Sequence, residues 1–194
     1  MGRVVIKNYT EWNPAPFPAL AGVSVTGSIK TNAVVAKAKR PILLWEHVLA
    51  PGAEIRWDKP PVGHLAYVLA GTGDANGQNL EEEGAFIVAH GGKGVLRAGS
   101  APMTVLHFHR PDDYPEAPHK AGGCCHVLNK KQSGHFKMPQ IDGYVFADSD
   151  CPTCEDWFHM VEMQGNAGAG EDSSLHCQTE DEFRVVVGAD MMVG

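Results

Sequence analysis

Basic clusters, long apolar runs and an even cysteine count are all missing from this chain. It has 16 Lys and Arg against 23 Asp and Glu, a net charge of −7. The densest basic stretch is Lys37-Ala38-Lys39-Arg40. Nucleic-acid binders carry a basic stripe or patch, so no nucleic-acid partner is expected. No apolar run approaches the ~18 residues of a membrane-spanning helix. The N-terminal MGRVVIKNYT is strand-like and lacks the apolar core of a signal peptide. The expectation is a cytoplasmic, reduced protein with no membrane partner. The five cysteines are an odd number, which argues against a disulfide scaffold. Helix-friendly composition is missing too. The 22 Gly and 13 Pro make up 35 of 194 residues, or 18%, against roughly 12% in an average chain. Both residues cost helix stability and favour short strands joined by turns.

What is present fits that expectation. Short apolar or alternating segments recur between turn signals. They are Val23–Gly27, Pro41–Leu49, Glu54–Trp57, His64–Ala70, Phe86–Ala89 and Met103–His109. Pro51-Gly52, Lys59-Pro60-Pro61, Gly71-Thr72-Gly73, Asn76-Gly77 and Gly91-Gly92 separate them. Residues 112–154 are polar and turn-rich and read as a linker or insertion, with one strand near Asp142–Phe146. Trp157 to Gln164 is again strand-like. The fold class is all-β, a small sandwich or barrel.

The pattern before the linker repeats after it. Setting Tyr67–Gly71 against Val185–Ala189 gives an offset of 118 residues (185 against 67). In the second copy, Gly170 is followed after five residues by His176-Cys177-Gln178, then by Glu182 and Ala189. This resembles the first motif of the cupin superfamily, G(x)5HxH(x)3–4E(x)6G, with Gln178 at the second His and Ala189 at the last Gly. The first copy resembles a cupin stripped of metal ligands. Asp58, Pro60 and His64 stand at its first-motif positions. Its second motif falls on Gly84, His90-Gly91-Gly92, Val95 and Gly99, with Val95 where a ligand His is usual.

The resemblance implies a double-stranded β-helix jelly roll. It divides the chain into a first barrel (1–111), an insertion (112–154) and the start of a second, incomplete repeat (155–194). The sequence stops at Gly194 before a second motif of that repeat, so a fragment of a longer bicupin is one expectation. Residues i and i+2 of a strand share a face, so His176 and Gln178 point the same way, with Glu182 following after a turn. Polar groups gathered in a barrel mouth are costly unless satisfied. A divalent metal (Fe, Mn, Ni, Cu or Zn) satisfies them. The leading expectation is therefore a metal on His176, Gln178 and Glu182, with His176 and Glu182 as the catalytic pair.

Two further sets are candidates. His107 and His109 share a strand face and, with His64 and Asp58, offer an alternative metal site in the first barrel. His47 and His90 stand alone in the sequence and read as structural. Cys151-Pro-Thr-Cys154, with Cys124 and His126, offers thiolate and imidazole ligands for a structural zinc. Trp45, Trp57, Tyr67 and Phe86 read as core or mouth of the first barrel. The resemblance implies a metal-dependent enzyme on a small polar organic molecule: a dioxygenase, isomerase, decarboxylase, lyase or hydrolase. The alternatives are a non-enzymatic cupin that binds a small ligand or serves as an assembly subunit, and a zinc-clipped interaction module. A homodimer is expected by the same resemblance.

Overall fold

The computed structural model describes residues 12–36, 42–112, 121–138, 141–147 and 160–165. Its strands are, in chain order, β1 (Asn13–Ala15), β2 (Val23–Thr26), β3 (Ile29–Val35), β4 (Leu43–Leu49) and β5 (Glu54–Asp58). Next come β6 (His64–Ala70), β7 (Gly73–Ala75), β8 (Gln78–Leu80), β9 (Ala85–Val88), β10 (Lys93–Ala98) and β11 (Met103–His109). The last are β12 (Cys125–Leu128), β13 (Gly134–Met138), β14 (Ile141–Ala147) and β15 (Met160–Gly165). Every pairing is antiparallel.

Seven strands form one sheet in the order β1-β3-β4-β11-β6-β9-β12. Five form a second, β2-β5-β10-β7-β8, and β13-β14-β15 form a third. The first two sheets face each other across one apolar core. Leu49, Val68, Phe86, Val88, Met103 and Val105 come from the larger sheet; Ile55, Trp57, Leu80 and Leu96 come from the smaller. Each fully buried large apolar side chain there contributes roughly 1.5–3 kcal/mol. This is the all-β architecture that the strand spacing implied, arranged as the jelly roll that the resemblance implied.

The two sheets differ in how many faces they bury, and the sequence carries that difference. In β5, Ile55 and Trp57 are buried while Arg56 and Asp58 are exposed. That alternation marks a sheet with one face in water. In β6, His64 through Val68 are all buried, and so is all of β9. Their second face is covered. Leu65, Tyr67, Ile87 and Leu106 pack outside the barrel with Val34 and with Phe146 of β14. Tyr67 meets Phe146 edge-on at 5.9 Å between ring centroids. Tyr67 therefore lies outside the barrel, contrary to the expectation that it joins Trp57 and Phe86 inside. The reason is its odd number on a strand whose even members, His64, Ala66 and Val68, face inward. The stretch read as a linker also contributes β12, which pairs with β9 from Cys125 opposite Val88 to Leu128 opposite Ala85.

Gly71 closes β6 with φ +84°, and a Cβ there would sit 2.5 Å from the Pro102 carbonyl oxygen. The left-handed backbone and the backbone clash act together. Gly71→Ala is expected to cost about 2 kcal/mol or more, read as a lowered urea midpoint with an unchanged slope. The exposed Gly77→Ala, with φ +81° but nothing within 4 Å, separates the two causes and should cost less. Equal losses in the two variants would show that the clash contributes nothing.

Candidate functional site

Four histidines stand inside the barrel, all fully buried: His47, His64, His107 and His109. Strand pairing brings them together. β11 lies between β4 and β6. His107 is opposite Trp45 on one side and Ala66 on the other, and His109 is opposite His64. His47 is opposite Val105 on β11 and Thr31 on β3. Inward-facing positions alternate along each strand, so all four rings enter the same interior.

Their nitrogens form a line. The Thr31 hydroxyl oxygen is 2.9 Å from His47 Nδ1. His47 Nε2 is 3.1 Å from His107 Nδ1. His107 Nε2 is 2.9 Å from His64 Nδ1. The chain thus crosses four neighbouring strands, β3-β4-β11-β6, one side chain from each. It ends at His64 Nε2, which is buried and has no partner among the described residues. Trp57 stands over this end from the opposite sheet, its ring 6.1 Å from His64 and 5.8 Å from His107. Its indole Nε1 is also buried without a partner among the described residues. Phe17 stacks on His47 at 4.7 Å.

His109 stacks on His64 at 5.2 Å but stands outside the line. Its Nδ1 donates to the Arg110 carbonyl at 2.7 Å, and its Nε2 accepts from Trp45 Nε1 at 3.1 Å. A carbonyl only accepts and an indole N–H only donates. His109 is therefore a neutral imidazole with its proton on Nδ1.

Burial sets the charge of the whole cluster. Desolvation is the main cause that lowers the pKa of His47 to about 3, helped by His109. It holds His64 well below its ordinary value, again with His109 adding to the effect. His107 is held well below by burial and then by its three imidazole neighbours. In His109 burial lowers the pKa, while the Arg110 carbonyl and Asp112 oppose it. All four rings are neutral near neutrality, because a cation would lose its hydration.

The sequence-predicted site residues fare differently. His64, His107 and His109 do come together. Asp58 does not: its side chain is 67% exposed and reaches Lys93 at 3.1 Å on the outer face of the smaller sheet. The β5 alternation turns Trp57 inward and Asp58 outward. Val95, at the second-motif ligand position, is only half-buried and lies between the exposed Lys93 and Arg97 on their side of β10. His47 joins the cluster although it reads as structural in the sequence. Its neighbour Glu46 is buried on the other face, where it accepts from Asn32 at 2.6 Å. Cys124 Sγ and His126 Nε2 pair at 3.3 Å, while the Cys125 thiol turns away to donate to the Lys93 carbonyl at 2.9 Å. Burial pushes the Cys125 pKa up. Cys151, Cys154, His176, Gln178 and Glu182 lie outside the described residues.

The imidazoles are the right chemistry for a transition metal, but their arrangement does not fit one. His107 uses both ring nitrogens, in opposite directions, and one ring cannot turn both to a single ion. Among the described residues no group of three His, Cys, Asp or Glu side chains could hold a metal ion.

A solved structure decides the fold. The oxalate decarboxylase–formate complex of Lactobacillus farciminis superposes with a TM-score of 0.50 at 11% identity, over 77% of this chain and 62% of that one. The chain has the cupin fold. Also similar is a cupin-2 domain from Rhodospirillum rubrum, with TM-score 0.44 and 14% identity over 61% of this chain and 82% of that one. A Geobacillus kaustophilus protein matches with TM-score 0.47 and 16% identity over 78% of this chain and 68% of that one. No family model matches the chain, and no curated protein does. The chain spans less than two thirds of the Lactobacillus chain's length. Among its described residues no helix is long and apolar enough to cross a membrane.

Proposed function

We propose that this cupin is a metal-dependent enzyme acting on a small polar organic molecule, with the metal on His176, Gln178 and Glu182 and none in the described barrel. One observation carries the assignment. In the described barrel the motif positions Asp58 and Val95 lie on the outer side of the smaller sheet, and the imidazoles are committed to one another and to Trp45, Thr31 and Arg110. The second copy keeps an imidazole, an amide and a carboxylate at its motif positions.

The test is metal analysis of the purified wild type, His176→Ala and His107→Leu, with the folded state of each variant confirmed by circular dichroism. Stoichiometric metal that is lost in His176→Ala and retained in folded His107→Leu supports the assignment. Loss in folded His107→Leu alone moves the metal to the first barrel. A metal-free wild type overturns the reading as an enzyme of this kind. The second reading, a non-enzymatic cupin that binds a small ligand, then takes its place. Two buried polar atoms, His64 Nε2 and Trp57 Nε1, favour it.

A further inference from the structure

We infer that the barrel interior holds a hydroxyl-binding site at His64 Nε2 and Trp57 Nε1, and that the line from Thr31 through His47 and His107 sets which way His64 reads the hydroxyl. This inference concerns the described barrel and does not depend on the metal assignment.

The argument starts from valence. A neutral imidazole carries one N–H and one lone pair. Three such rings linked nitrogen to nitrogen admit two complete patterns. In one, the Thr31 hydroxyl donates to His47 Nδ1, each ring donates from Nε2 to the next ring, and His64 presents Nε2–H. In the other, each ring carries its proton on Nδ1. His64 then donates back to His107, His107 to His47 and His47 to Thr31, and His64 presents a bare Nε2. Any mixture sets two N–H groups or two lone pairs against each other at 2.9–3.1 Å. The three rings must therefore share one tautomer, and the two ends of the line are coupled.

The open end defines the guest. An unpaired buried polar group costs roughly 1–3 kcal/mol, and the facing rings of His64 and Trp57, with centroids 6.1 Å apart, carry one each. Trp57 Nε1–H can only donate, so the guest atom must accept from it. His64 Nε2 either donates or accepts. An oxygen bearing a hydrogen meets both demands in either pattern, whereas a carboxylate or carbonyl oxygen meets them only when His64 presents Nε2–H. The shared chemistry is a hydroxyl, supplied either by a small alcohol or by water. A charged guest is disfavoured by burial, which penalises a charge left without a counter-ion.

Nitrogen NMR on protein labelled at histidine distinguishes the tautomers of each ring. In the wild type above pH 7, His47, His64 and His107 are expected to share one tautomer, with His109 on Nδ1–H as an internal control. Thr31→Val removes the hydroxyl that donates in the first pattern and accepts in the second, so His47 Nδ1 is left with either an orphaned lone pair or an orphaned N–H, and the buried N–H is the costlier of the two. The substitution is expected to place the proton on Nε2 in all three rings, including His64 at the far end. Unlike tautomers among the three wild-type rings overturn the coupling. So does a Thr31→Val protein in which His64 keeps its proton on Nδ1. The hydroxyl is probed with ethanol. A saturable shift at His64 that is lost in Trp57→Phe identifies an alcohol site. No shift, with an exchange cross-peak between water and the His64 ring, identifies a bound water. Neither signal overturns the hydroxyl site. Folding of each variant is checked by the unchanged His109 signal.

Discussion

Acidification is expected to unfold the barrel starting just below pH 6.5, before the bulk of the carboxylates titrate. The unfolded imidazoles take up protons near their ordinary value, whereas the folded ones resist. For His47 that resistance extends down to about 3, and His64 and His107 are also held well below the ordinary range. The unfolded state therefore binds more protons throughout this window. Stability is fully present above pH 6.5 and falls as the pH drops toward the folded values. Each such group costs ~1.4 kcal/mol per pH unit, so three acting together remove about 4 kcal/mol per unit. A domain of ordinary stability, about 5–15 kcal/mol, then loses its fold between about pH 5 and about pH 3. Tryptophan fluorescence reads the transition, because Trp57 packs on His64 and His107. An emission spectrum and urea midpoint that stay flat from pH 7 to pH 4.5 would sink this account.

The same cluster shows what the sequence carries and what it hides. The frame was legible because strands of alternating or apolar type between Gly and Pro turns need only local pattern. Glu54–Trp57, His64–Ala70 and Met103–His109 fall on β5, β6 and β11. Ile29–Val35 was harder to see, because Lys30, Thr31 and Asn32 interrupt its apolar residues. Lys93–Ala98 was harder because Gly94 and Arg97 lower its strand character. The Gly has a packing reason: a Cβ there would come within 2.7 Å of Val88.

For the site, the spacing of His107 and His109 was enough to place both on one face. His47 gave no such signal. It lies 60 residues from His107, and only the β4–β11 pairing joins them. Asp58 misled for the opposite reason. Motif spacing counts residues, but a strand face depends on parity, and Trp57 has the inward parity on β5.

Replacing His107 is expected to be the most damaging single change in the barrel, and the choice of replacement separates the causes. His107 is fully buried and occupies the middle of the line. His107→Ala strands His47 Nε2 and His64 Nδ1 and also leaves a cavity beside Trp57. Two orphaned polar atoms at roughly 1–3 kcal/mol each and the lost packing together suggest about 4–6 kcal/mol. His107→Leu restores most of the volume but neither hydrogen bond, so it should recover only the packing share. His47→Phe, at the next ring, tests the alternative that the cluster is merely aromatic filler. It keeps the stack with Phe17 but strands His107 Nδ1 and the Thr31 hydroxyl. If the hydrogen bonds matter, it should still cost ~2 kcal/mol or more. Each variant also removes one titrating ring, so its acid limb should be shallower than the wild type's by about one group. Urea titrations at pH 7.5 and pH 5.5 measure both quantities on the same proteins. A His107→Leu protein as stable as the wild type at pH 7.5, with the same loss at pH 5.5, would show that the line of imidazoles contributes neither stability nor acid sensitivity.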